Sequence, residues 1–165
     1  MSEQYTRDDK QILELLLSFD ERMRAQREQS SVVEQVNDYV CPPSTMDLKL
    51  NTNNRDMAIQ AEHIKYGPLN VDEPGDYWKK IAKYWDTTEK AAKKSNCSNC
   101  VAFDISPRMK RCMPGVTTDK DGELGYCWMH HFKCHSARAC YTWAKGGAIV
   151  DDKVSYEWQD KNSFQ

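Results

Sequence analysis

The chain reads as an α+β protein of low regular content, with an N-terminal helical part, an extended linker and a small C-terminal metal-cluster subdomain. Three observations predict this. Apolar residues recur at helical spacing in two stretches, one near the N-terminus and one opening near Asp76. A Pro-, Ser-, Thr- and Asn-rich segment lies between them. Six of the seven cysteines and three of the four histidines fall between Cys97 and Cys140. The expected divisions are 1–41, an amphipathic helix region; 42–75, a linker or extended arm with a short helix; 76–150, a helix followed by the cysteine-rich subdomain; and 151–165, a tail.

Composition narrows the function classes. The 165 residues carry 23 Lys+Arg against 25 Asp+Glu, a net charge of -2, so no field of one sign exists to steer nucleic acid or anionic lipid. A hydrophobic content of 39% and a mean hydropathy of -0.82 are polar for a compact domain and predict folding against a partner or around a cofactor. The charged start MSEQYTRDDK is not followed by a signal-peptide core, and the longest apolar stretch, Leu15 to Leu17, is far short of a membrane span. The expectation is a chain made and kept in a reducing cytoplasm, with no membrane partner. Thiols stay reduced there, which weighs against a disulfide framework.

From about Thr6 to Gln29, Ile12, Leu16, Phe19 and Met23 form one apolar helix face, widened by Leu13, Leu15 and Leu17. Such a face is either ordinary core or a surface that docks on a neighbouring subunit. A weaker segment, Val32 to Val40, precedes Cys41-Pro-Pro. Cys41 stands apart from the other thiols and is expected to be buried and idle. Pro42 to Asn54 reads as the linker, around a short strand.

A short helix is expected over Asp56 to Lys65, ending before Gly67-Pro68. A longer one starts at the cap Asp76 and places Trp78, Ile81, Ala82 and Trp85 on one face as far as about Lys94. Its lysines read as a solvated face, since Asp86 and Glu89 interrupt them and no aromatic residues interleave. Past Gly147 the weak alternation of Val154, Tyr156 and Trp158 predicts an edge strand or an arm.

Between Asn96 and Gly147 the periodicities vanish and Gly, Pro, Asp and Cys take over, as in segments stabilised by a metal centre rather than a large core. Cys97-x2-Cys100 has the spacing at which a tight turn aims two sulfurs at one centre. Three ligand sets compete. The first is Cys97, Cys100, Cys127 and Cys140, four thiolates for a 4Fe-4S cluster inside a jacket of Phe103, Tyr126, Trp128, Phe132, Tyr141 and Trp143. The second is Cys97, Cys100, Cys127 and His130, a Cys3His set for structural zinc (Zn2+). The third exchanges Cys127 or Cys140 for Cys112 or Cys134.

The run Cys97-x2-Cys100, Gly-Tyr-Cys127 and Cys140-Tyr-Thr-Trp143 followed by Lys145-Gly146-Gly147 resembles the high-potential iron–sulfur proteins. Cys112-Met-Pro-Gly is also similar to that family's Cys-x-x-Phe-Pro-Gly with one residue missing, a register that would make Cys127 the last ligand. The wider arrangement of Cys97, Cys100, Cys127, Phe132, Cys134, Cys140 and Trp143 resembles a group of small bacteriophage proteins, over roughly Asp76 to Gly147. This resemblance implies a phage-encoded iron–sulfur polypeptide of the virion, made in the bacterial host cytoplasm.

No enzyme signature is present. His130 and His131 lie within the cysteine run, His63 stands alone on a short helix, and the glycines at 146 and 147 are too few to cradle a phosphate. The expected protein is a structural or interaction subunit stapled by a 4Fe-4S cluster, with other protein subunits as partners and no nucleic acid. A high-potential electron carrier and a zinc-stapled binding module are the alternatives.

Overall fold

The computed structural model describes Glu21 and residues 40–162. Contacts divide the chain after Val40, and the second unit, Cys41–Gln165, is the one described below. The predicted N-terminal amphipathic helix lies outside the described residues. The second unit is mixed: short helices surround a small three-stranded antiparallel sheet. No helix among the described residues is long and apolar enough to cross a membrane.

The segment expected to be a linker is helical. Pro43 opens the single turn α1 (Pro43–Met46), where the missing proline N–H costs nothing. Asp47 then caps α2 (Leu48–Gln60), its carboxylate accepting from Leu50 N at 2.9 Å. The asparagines that made this stretch read as a linker are tertiary contacts. Asn51 Oδ1 accepts from Lys133 N at 2.8 Å, and Asn54 Nδ2 donates to the His131 carbonyl at 2.7 Å. The short helix expected from Asp56 is therefore the end of a longer one, which stops at Gln60.

Trp78, Ile81 and Ala82 are buried as their spacing predicts, on α3 (Tyr77–Tyr84). The expected single helix breaks beyond them. Asp86 takes a φ of +51°, and Thr88 caps a second helix, α4 (Glu89–Lys93), accepting from Ala91 N at 3.2 Å. Asp76 does not cap α3; its carboxylate pairs with Lys80 at 3.0 Å.

Beyond Asn96 the chain is more regular than expected. A 3-10 turn, Cys97–Asn99, leads to β1 (Phe103–Asp104), then α5 (Pro107–Cys112), β2 (Leu124–Cys127) and β3 (Phe132–His135). Phe103 pairs with Cys127, Cys127 with Phe132, and Gly125 with Cys134. Side chains alternate across a strand, so Phe103, Gly125, Cys127, Phe132 and Cys134 share one face of the sheet. Asp104, Tyr126 and Lys133 share the other.

On that second face, Ser44 of α1 meets the Tyr126 hydroxyl at 3.1 Å, and fully buried Asp104 accepts from Trp128 Nε1 at 2.9 Å. The tail expected as a strand or arm is the helix α6 (Asp152–Asn162). Asp151 accepts from Lys153 N at 2.8 Å, and fully buried Ser155 donates to Asp104. The capping aspartate and this buried contact override the alternation of Val154, Tyr156 and Trp158. Arg108 of α5, itself 0% exposed, donates to Ser155 Oγ at 2.9 Å and stacks 3.9 Å over the Tyr156 ring.

Cys41 and Cys112 form a disulfide, with Cα atoms 5.6 Å apart, which joins the entry to α1 to the end of α5. The idle role expected of Cys41 is thereby corrected. Cys112 is likewise removed from the candidate ligands, because a sulfur committed to a disulfide carries no thiolate to offer a metal.

Candidate metal centre

Five free cysteines, Cys97, Cys100, Cys127, Cys134 and Cys140, line a single internal void. Local structure aims each of them. Asn96 caps the 3-10 turn by accepting from Ser98 N at 3.1 Å, and the turn closes through Cys100 N to the Cys97 carbonyl at 3.0 Å. Cys127 and Cys134 project from the shared face of β2 and β3. The loop after β3 is pinned by Cys97 N to the Arg138 carbonyl at 2.7 Å and Ala139 N to the Gly67 carbonyl at 2.7 Å, which brings Cys140 to the same void. At Gly147 a Cβ would lie 1.7 Å from the Cys100 carbonyl oxygen, so the returning backbone can pass there only as glycine.

The remaining wall is largely apolar. Tyr66, Phe103, Phe132 and Trp143 enclose the void with Met129 and His130. Tyr66 packs edge-on to Phe132, with ring centroids 4.8 Å apart, and its hydroxyl accepts from His135 N at 2.9 Å. Of the aromatic jacket expected from sequence, Phe103, Phe132 and Trp143 are at the void. Tyr126 and Trp128 belong to the opposite face of the sheet, and Tyr141 stacks on Tyr84 at 4.2 Å. Tyr66 carried no sequence signal, because it stands 31 residues before Cys97 at the end of an unremarkable polar stretch.

About 10 Å3 of the void is open to the centre of a water molecule, close to the minimum of roughly 10–15 Å3 that one water needs. Thiols and aromatic rings offer such a water few of its usual partners. Burial pushes the Cys100 thiol up and Cys140 up to about 12, and it raises Cys134 strongly. Cys127 is the exception: a hydrogen bond from Cys134, together with the Met129 and His130 N–H groups, holds it below the ordinary thiol value. Amides also point at Cys100, from Ala102 and Ala144, and Thr142 Oγ1 stands 3.2 Å from Cys140 Sγ. A bound metal cation supplies the charge that burial denies these sulfurs, since a coordinating thiol is deprotonated outright.

The structure thus brings together Cys97, Cys100, Cys127 and Cys140, adds Cys134 and His130 to them, and takes Cys112 away. His130 is engaged through Nε2 with Thr142 Oγ1 at 2.7 Å. Among the described residues, no group of three or more His, Cys, Asp or Glu side chains is gathered as a ready site for a metal ion.

No family model matches the chain, and neither a curated protein nor a solved structure matches it.

Proposed function

We propose that Cys41–Gln165 is an iron–sulfur domain in which Cys97, Cys100, Cys127 and Cys140 hold a 4Fe-4S cluster, and that it serves as a structural subunit of a larger protein assembly. The observation that carries the reading is the convergence of five thiols on one apolar void. The donor set is the soft, all-thiolate one that such clusters take.

When bound, the cluster supplies iron–thiolate bonds and a one-electron couple. The chain's part is to orient and to exclude. The 3-10 turn, β2 and the loop after β3 present the sulfurs, amide N–H groups support their charge, and Phe103, Phe132, Tyr66 and Trp143 keep water out. The ligands come from parts of the chain more than 40 residues apart, Cys97 to Cys140, so the bonds would tie the fold together as a staple. The reading assigns no catalytic residue. Its assembly role, in a phage virion, is supported by the resemblance of the cysteine run to small phage proteins and by a net charge of -2, which favours protein over nucleic-acid partners.

A second reading, a one-electron carrier, is favoured by the N–H groups aimed at Cys100 and Cys127, the usual means of tuning a cluster's potential. Anaerobic purification with iron and sulfide analysis tests both. A brown protein with about four irons per chain is expected, and Ser at Cys97, Cys100, Cys127 or Cys140 should release them. Colourless protein holding one zinc overturns the reading. Iron that chelators strip without unfolding the domain would favour the carrier over the staple.

A further inference from the structure

We infer that Thr142 acts on the metal centre through Cys140: its hydroxyl, held by His130, donates to the Cys140 sulfur and thereby raises the reduction potential of the cluster. The inference rests on the iron–sulfur reading above, in which Cys140 is a ligand. Its geometry is a chain of two side-chain contacts. Thr142 Oγ1 stands 3.2 Å from Cys140 Sγ and 2.7 Å from His130 Nε2. Among the described residues, Cys140 is the one free cysteine with a side-chain hydroxyl at its sulfur.

Backbone contacts anchor both ends of this chain. Cys127 pairs with Phe132, so His130 lies in the turn between β2 and β3, where His131 N donates to the Cys127 carbonyl at 2.8 Å and Trp128 N to the Ala102 carbonyl at 3.1 Å. Thr142 lies in the loop after β3, which is tied on either side of it. Tyr141 N donates to the Ile64 carbonyl at 2.7 Å, Trp143 N to the Cys140 carbonyl at 3.1 Å and Val101 N to the Ala144 carbonyl at 2.8 Å. One hydroxyl thus bridges two anchored segments beside the void that His130 and Cys140 both line.

The chemistry of the two neighbours sets the direction of the hydrogen bonds. A ligating sulfur is a thiolate, which accepts and cannot donate. Thr142 therefore turns its single O–H toward Cys140 Sγ, and its oxygen accepts from His130, whose proton must then sit on Nε2. A donor on a ligating sulfur stabilises the more negative, reduced state of the cluster, which raises its potential. A threonine that only clamps the two loops together contributes stability and leaves the potential alone. The two roles differ in what replacement by valine and by serine does.

Thr142→Val, which keeps the shape and removes the hydroxyl, and Thr142→Ser, which keeps the hydroxyl, are purified anaerobically beside the wild-type chain. Their iron is counted, and the reduction potential is measured by redox titration followed by absorption and electron paramagnetic resonance. Both variants should keep the wild-type iron content. T142V should titrate at lower potential, and T142S close to the wild type. A loaded T142V that titrates with the wild type, whatever its stability, overturns the inference and leaves Thr142 as a clamp. A T142S shifted as far as T142V overturns it by assigning the shift to altered packing. Iron loss from T142V overturns it by making the hydroxyl a condition of cluster binding. A wild-type chain without iron brings down the iron–sulfur reading itself, a result distinct from a loaded wild type whose variants titrate identically.

Discussion

Gly125 lies against the ring of Phe103 so closely that a Cβ added to it would stand 2.4 Å from Phe103 Cε2 and 2.9 Å from the Asp104 carbonyl oxygen. Phe103 is 1% exposed and forms part of the wall of the thiol-lined void. Gly125→Ala must therefore either tip that ring into the void or part β1 from β2. A loss of about 1–3 kcal/mol in urea unfolding is expected, as for other overpacked cores, together with lower iron content. A variant with full stability and full iron would show that the ring has room to move.

Asp104 and Trp128 anchor the opposite face of the sheet. Asp104 is 0% exposed and accepts from Ser106 N at 2.9 Å, from Trp128 Nε1 at 2.9 Å and from Ser155 Oγ. Asp104→Ala leaves several buried donors unsatisfied and is expected to cost about 3 kcal/mol or more. Because Ser155 sits on α6, amide hydrogen exchange over Lys153–Asn162 should accelerate most. Exchange unchanged in that helix would mean that α6 is held by other contacts, such as those of Arg108.

The Cys41–Cys112 disulfide closes a loop of 71 residues. On the chain-entropy account, a loop of this length contributes about 4 kcal/mol by restricting the unfolded chain. Replacing both cysteines by serine should lower Tm by roughly 10–20 °C for a domain of this size, while the iron content stays at the wild-type level. Iron lost from the double-serine variant would instead tie this pair to the proposed metal centre.

His130 is held below the ordinary histidine value of 6.5, first by burial and then by the neighbouring His131 and His63. A base whose folded value is depressed binds its proton more readily in the unfolded chain. The neutral form therefore favours folding above 6.5, and that contribution is lost as pH falls from 6.5 through the lower folded value. Stability measured by thermal unfolding should decline over that window, and His130→Gln should flatten the decline. A profile unchanged by the substitution would assign the acid sensitivity to other groups, His131 among them.

That the free thiols of the second unit gather in one part of the chain was legible in the sequence, because thiol density and the Cys-x2-Cys spacing are local properties. So were the faces of helices whose apolar residues recur at 3.6, such as Trp78, Ile81 and Ala82. The polar segment after Cys41 misled because Asn51 and Asn54 are polar for a tertiary reason: they bond to the β3 hairpin, 82 and 77 residues away. The tail misled similarly, its alternation overridden by Asp151 at the helix start and by buried Ser155 against Asp104. The division of the cysteines was a matter for the fold alone. Spacing cannot say that Cys41 meets Cys112, or that Cys134 joins the four expected ligands at one void. Those groupings depend on strand register and on how the loop after β3 returns past Gly147, and both are set by contacts between residues far apart in the chain.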